Sequence, residues 1–145
     1  MIPKKYVLLV EDNHFDELLT RRAFAKNHLA DQLEVVHDGP EALQFLQERG
    51  QMNSKGHLPA LILMDFQMPR LNGVEVLEKI RADERTRQLP VVMLSSSADD
   101  RDNERTSALG LISYLRKPVD FTEFVRLVHD LSRRWLTNDE SAADR

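Results

Sequence analysis

The sequence predicts an α/β fold in which one parallel sheet of five strands is covered by helices on both faces, a doubly wound arrangement. Five apolar runs of strand length alternate with five segments of helical character. The apolar runs are continuous, as expected for strands that are buried on both faces of a parallel sheet. A helix after each strand provides the crossover connection that parallel strands need.

Residues that suit helix ends separate the predicted elements. Asn13 can cap the first helix, and Asp16 places a negative charge in its positive first turn. Pro40 suits the first position of the second helix, and Gly110 ends the fourth. In chain order we predict strand 6–10, helix 14–28, strand 33–37, a helix from residue 40, a polar loop over 49–59, strand 60–64, helix 73–82, strand 90–94, helix 99–109, strand 111–115, helix 121–136 and a polar tail over 137–145.

Composition predicts one domain without disulfide bonds. The 145 residues, 41% of them hydrophobic and 30% charged, suffice for one core, which we expect within residues 5–136 of a domain spanning 1–145. The net charge of -4 argues against nucleic acid as a partner, and the lack of cysteine excludes thiol catalysis and thiolate metal sites. No signal peptide or membrane-spanning apolar stretch is found, so we expect a cytoplasmic protein.

Four of the predicted strands lead into residues that carry chemistry. Glu11 and Asp12 follow the first strand, Asp65 the third and Ser95 the fourth, and Lys117 comes shortly after the fifth. Ligands of open α/β sheets bind beyond the carboxyl ends of the strands, so we expect these side chains to share one site. Each alone has an ordinary explanation as a cap, a turn residue or a solvated lysine. Their common position at one sheet edge favours function.

The carboxylates of this group predict a cation site. Three crowded carboxylates repel one another unless a cation lies among them. Oxygen ligands without His or Cys favour Mg²⁺ over zinc. Such an ion keeps positions for phosphate oxygens, and the lysine and hydroxyl could bind the remaining oxygens. The residues therefore predict phosphoryl transfer with a carboxylate as the acceptor.

A series of short motifs lies at the strand ends. In chain order they are Val10-Glu11-Asp12-Asn13, Gly39-x-Glu41-Ala42-Leu43, Asp65-x-x-Met68-Pro69-x-x-Asn72-Gly73, Leu94-Ser95-Ser96 and Tyr114-Leu115-x-Lys117-Pro118. This ordered set resembles the receiver domain of two-component response regulators over residues 6–131. The resemblance implies a flavodoxin-like (βα)5 fold. It also implies a phosphoacceptor that assists its own phosphorylation and dephosphorylation rather than an enzyme.

The resemblance also implies roles for the residues of the site. Asp65 would accept a phosphoryl group from a histidine kinase, and Lys117 would contact that group. Glu11, Asp12, Asp65 and the backbone carbonyl of Gln67 would bind Mg²⁺. The expected function is therefore a signalling switch that is turned on by phosphorylation.

Signal output is expected from a hydroxyl and an aromatic side chain. Ser95 occupies the family's Ser or Thr position, and Tyr114 the position of its aromatic switch residue. The hydroxyl would move toward the phosphoryl group and let Tyr114 turn inward. This change would alter the face formed by the fourth predicted helix (99–109), the fifth strand and the last helix, here called the output face. The peptide bond before Pro118 is expected to be cis.

Features outside the core motifs are similar to those of small regulators paired with phytochrome-type kinases. These features are the opening over 13–16, the long loop before Asp65 and the segment over 135–137. This similarity implies a histidine kinase of the phytochrome type as a partner. The other expected partner is a second copy of the chain, bound through the output face. We expect Trp135 and Leu136 to form an exposed apolar patch that contributes to a twofold contact; the alternative is that Trp135 folds back over the sheet edge.

Other functions remain open from the residues alone. A binding module of the same fold that works without phosphate is the main alternative, although it would not need the costly acidic cluster. An aspartyl phosphatase usually has a second Asp where this chain has Gln67. A flavin or nucleotide site would be expected to show a Gly-rich phosphate loop after the first strand, and none is found.

Overall fold

The computed structural model describes residues 4–51, 58–95, 108–110, 113–117 and 120–137. Five strands form one sheet in the order β2-β1-β3-β4-β5, and every neighbouring pair is parallel. The strands are β1 (Val7–Val10), β2 (Leu33–Val36), β3 (Leu61–Asp65), β4 (Val91–Ser95) and β5 (Ser113–Arg116). The predicted fold class is confirmed.

Four α-helices are present in the described part of the chain, with a short 3₁₀ helix over Ala30–Gln32. They are α1 (His14–Lys26), α2 (Gly39–Gln51), α3 (Gly73–Ala82) and α4 (Phe121–Trp135), the last of which is the fifth predicted helix. The fourth predicted helix lies largely outside the described residues, as do Ser96, Pro118 with its expected cis bond, and residues 138–145. Gly110 has a φ of +72°, the left-handed conformation expected where a helix ends.

The first helix ends two residues earlier than the sequence predicts. It ends at Lys26, and the side chain of Asn27 donates to the carbonyls of Ala23 and Val125. His28 then adopts a φ of 61°, which no residue inside a helix can have. The contact to Val125 joins the end of α1 to α4, so this helix end is set partly by packing.

The core consists of two apolar layers, one on each face of the sheet. Alternate residues of each strand point to opposite faces, so Leu9 and Leu8 belong to different layers. One layer contains Phe24 of α1 and Val128 of α4, and the other contains Leu77 of α3 together with residues of α2. Burying such side chains contributes about 2 kcal/mol each. The strands are therefore buried on both faces, as their continuous apolar runs predict.

The turn from β3 into α3 is tightly constrained. A Cβ atom on Gly73 would lie 2.5 Å from the sulfur of Met93 and 3.0 Å from the carbonyl oxygen of Asp65, so a larger residue would require the Met93 side chain and the backbone after β3 to shift. The side chain of Asn72 accepts from the backbone N–H of Glu75, whose carboxylate accepts from the N–H of Asn72. This capping box starts α3 immediately beside the end of β3.

The end of α4 folds onto the core instead of forming an exposed patch. Leu136 is only 6% exposed, and Trp135 packs against the layer that contains Phe24. The expectation that Trp135 and Leu136 are exposed is therefore wrong, because α4 is long enough to return its last turn to the sheet. Large apolar side chains are exposed instead at Phe15, Leu18 and Phe121. Within the described ranges, no helix has the length and apolar character needed to cross a bilayer.

Candidate phosphoryl-transfer site

The carboxyl ends of four strands meet at one edge of the sheet. Asp65 is the last residue of β3, and Ser95 is the last residue of β4. Glu11 directly follows β1 and donates its backbone N–H to Val36 of β2. Lys117 directly follows β5, and its backbone N–H donates to the carbonyl of Ser95 at 2.8 Å. The sheet thus brings together side chains that are separated by up to 106 residues in the chain.

Three carboxylates form the centre of this site. One oxygen from each of Glu11, Asp12 and Asp65 lies within 4.8 Å of the other two. Glu11 and Asp65 are buried, whereas Asp12 is exposed. The backbone N–H of Asn13 donates to the second oxygen of Glu11 at 3.3 Å, and that of Gln67 donates to Oδ1 of Asp65 at 3.4 Å. The cluster is therefore buried at Glu11 and Asp65 and open to solvent at Asp12.

The ammonium group of Lys117 lies against three carboxylates. Its Nζ atom is 3.1 Å from Oε1 of Glu11, 3.4 Å from Oδ1 of Asp65 and 2.8 Å from Oδ2 of Asp16. Burial would lower the pKa of Lys117, but the hydrogen bond to Asp16 and the neighbouring negative charges outweigh that effect and raise the pKa. Lys117 therefore stays charged and partly neutralises the cluster.

One lysine does not balance the buried negative charge. Burial raises the pKa of Glu11 to about 8, and repulsion by Asp65 adds to the increase, while Lys117 opposes it. Burial also raises the pKa of Asp65, again opposed by Lys117. The Glu11–Asp65 pair therefore retains a proton at neutral pH unless another positive charge is present. A divalent cation with oxygen ligands suits this donor set, and the residues fit Mg²⁺.

The site opens into a cleft of ≈ 700 Å³ at the start of α1. Its lining residues are Asp12, Asn13, His14, Phe15, Asp16, Asp65, Gln67 and Lys117. From the sequence, Asp16 is placed only in the first turn of the helix, and its contact with Lys117 is not predicted. Its position near Lys117 could have been predicted, because α1 starts directly at the sheet edge and its first turn must line the crevice.

The predicted site residues are therefore found together, with the exception of Tyr114. Ser95 is buried at the end of β4, and Gln67 lines the cleft. Tyr114 lies on β5 beside Met93, but its side chain is outside the described part of the structure, as is Pro118. The orientation expected for the aromatic switch is therefore still a prediction.

Comparison with protein families and curated proteins gives one consistent result. A family model described as the response regulator receiver domain matches residues 7–129. The probable methanogenesis regulatory protein FilR2 of Methanothrix harundinacea is 37% identical over 130 residues, which are 90% of this chain and 83% of that protein. The response regulator Rcp1 of Synechocystis sp. is 31% identical over 134 residues, 92% of this chain and 90% of that protein.

Solved structures show the same similarity. The phosphorylated cyanobacterial phytochrome response regulator RcpA has a TM-score of 0.79 at 31% identity, covering 94% of this chain and 97% of that one. The bacteriophytochrome response regulator RtBRR has a TM-score of 0.73 at 39% identity, covering 96% of this chain and 84% of that one. An Mn²⁺-bound form of Rcp1 has a TM-score of 0.76 at 31% identity, covering 94% of this chain and 97% of that one.

Proposed function

Because the chain belongs to the response regulator receiver domain family, we propose that it is a phosphorylation-activated regulator whose Asp65 accepts a phosphoryl group from a histidine kinase. The observation that carries this proposal is the position of Asp65. Its carboxylate lies at the end of a central strand and lines a cleft, 3.4 Å from the ammonium group of Lys117 and within 4.8 Å of carboxylate oxygens of Glu11 and Asp12. Receiver domains are in general signalling modules rather than enzymes, and they bind Mg²⁺ or Mn²⁺ at an acidic pocket.

The transfer step follows from this arrangement. A carboxylate oxygen of Asp65 attacks the phosphorus of a phosphohistidine, the phosphorus–nitrogen bond breaks, and the imidazole leaves. Lys117 donates a hydrogen bond to a phosphoryl oxygen and holds the group against Asp65. Attack by water on the resulting acyl phosphate, assisted by the same residues, returns the carboxylate and inorganic phosphate.

The acidic cluster would hold the metal ion that this reaction uses. Glu11, Asp12 and Asp65 would contribute carboxylate oxygens, and Gln67 its backbone carbonyl. When bound, Mg²⁺ neutralises the negative charge that builds up on the phosphoryl oxygens. The raised pKa of Glu11 supports this assignment, because the buried carboxylates lack a compensating charge without a cation.

Signal output is proposed to use Ser95, Tyr114 and the output face. The Ser95 hydroxyl would bond to the phosphoryl group, and Tyr114 would turn into the space that the hydroxyl leaves.

The names of the solved relatives RcpA and RtBRR suggest a phytochrome-type histidine kinase as the partner. A homodimer through the output face is the proposed assembly, and sedimentation with and without phosphodonor tests it. A monomer under both conditions would contradict the dimer.

The phosphoacceptor is tested by incubating the protein with phosphoramidate and Mg²⁺ and measuring its intact mass. Wild type is expected to gain one phosphoryl group and Asp65→Asn none. Asp31→Asn is the matched control, because Asp31 is an exposed carboxylate paired with Lys4 outside the cleft. Phosphorylation of Asp65→Asn would refute the assignment. A wild-type chain that takes up no phosphate would favour the phosphate-independent binding module.

A further inference from the structure

The nearest partner of the Lys117 ammonium is not a member of the cation cluster. Asp16 lies 2.8 Å from Nζ, closer than Glu11 at 3.1 Å and Asp65 at 3.4 Å. Asp16 belongs to the first turn of α1, where its backbone N–H donates to the side chain of Asn13 at 2.9 Å. The start of the helix therefore fixes this carboxylate at the side of the cleft.

Asp16 and a phosphoryl group need the same hydrogen-bond donors. A lysine ammonium has three N–H donors; Glu11 and Asp16 each accept one hydrogen bond from Lys117, and Oδ1 of Asp65 lies 3.4 Å from its Nζ atom, so three carboxylates surround the three donors. A phosphoryl group on Asp65 also needs a donor from Lys117. Asp16 additionally places a negative charge on the cleft wall, through which an anionic phosphodonor must pass. Both effects act against phosphorylation.

We propose that Asp16 is a positioning residue that holds Lys117 on the α1 side of the cleft and competes with the phosphoryl group for it. This inference rests on the proposed function, since it concerns the acceptance of phosphate by Asp65. In the resting protein, Asp16 keeps Lys117 ordered and charged. During phosphorylation, Lys117 transfers a hydrogen bond from Asp16 to the phosphoryl group. Asp16 therefore sets how readily the regulator is switched on.

The test compares initial rates of phosphorylation by phosphoramidate with Mg²⁺, measured by intact mass. Asp16→Asn keeps the size of the side chain and removes its charge, and it is expected to be phosphorylated about fivefold faster, the factor that corresponds to one partly exposed ion pair. Asp16→Glu retains the charge and is expected to return the rate toward wild type. Asp31→Asn removes an ion pair of similar length, Lys4–Asp31 at 2.7 Å, and should leave the rate unchanged.

A double-mutant cycle shows whether Asp16 acts through Lys117. In a Lys117→Met background, Asp16→Asn is expected to change the rate by less than about twofold, because the competition has been removed. An equal acceleration in both backgrounds would overturn the inference, since it would indicate a general charge effect. An unchanged or slower Asp16→Asn single variant would also overturn it while leaving the proposed function intact. If the wild type takes up no phosphate, the proposed function and the inference about Asp16 are both refuted.

Discussion

Replacing Glu11 by Gln is expected to stabilise the protein in the absence of divalent cations. Burial raises the pKa of Glu11 from 4.5 to about 8, with a further contribution from Asp65. Below pH 4.5 the folded and unfolded states both carry the proton, so the ionisation of Glu11 does not affect stability there. As the pH rises from 4.5 to 8, the unfolded chain releases this proton while the folded protein keeps it. Folding therefore becomes progressively less favourable across this window.

The size of the effect follows from the shifted pKa. Each pH unit within the window costs about 1.4 kcal/mol of unfolding free energy, which amounts to about 3 kcal/mol at pH 7. Glutamine removes the titration, but its amide group must replace the carboxyl oxygen that accepts a hydrogen bond from Lys117 at 3.1 Å. We therefore expect a net gain of about 2 kcal/mol at pH 7, or about 6 °C in Tm for a domain of this size.

The assay is thermal unfolding of wild type and Glu11→Gln in EDTA between pH 5 and pH 8. Glu34→Gln serves as the control, because Glu34 is an exposed carboxylate on the neighbouring strand β2. The difference between Glu11→Gln and wild type should grow with pH, and Mg²⁺ should stabilise wild type more than the variant. Parallel pH profiles for the two proteins would refute the argument, because they would show that Glu11 does not retain a proton on folding.

Three further predictions concern the metal site, the β3–α3 turn and signal output. Asp12→Asn should lose most of the Mg²⁺-dependent rise in Tm, and an equal rise in variant and wild type would contradict the proposed metal site. Gly73→Ala should destabilise the protein by about 2 kcal/mol in urea unfolding, because its Cβ would meet Met93 at 2.5 Å. Gly50→Ala is the control for Gly73→Ala, since its nearest contact would be at 3.6 Å. Ser95→Ala should accept phosphate but show no phosphate-dependent change in hydrogen exchange over 113–117. A change as large as that of the wild type would argue against the switch.

Much of the fold and site could be predicted from the sequence because they depend on local patterns. Continuous apolar runs identify the strands, and caps such as Asn13 and Asn72 identify where helices begin. Residues at the carboxyl ends of parallel strands must lie at one sheet edge, whatever the details of packing. That rule alone brings Asp65 and Lys117 together, although they lie on different elements of the sheet.

The tertiary structure decided what depends on distances between remote side chains. The ion pair between Asp16 and Lys117 joins residues 101 positions apart and requires the observed orientation of α1 against β5. The raised pKa of Glu11 depends on how deeply the sheet edge is buried. Trp135 has the same local pattern whether its helix ends in solvent or on the core, and only the packing of α4 places it, partly buried, against the core. Local sequence patterns determine the elements and their order, whereas burial and electrostatics arise from all elements packed together.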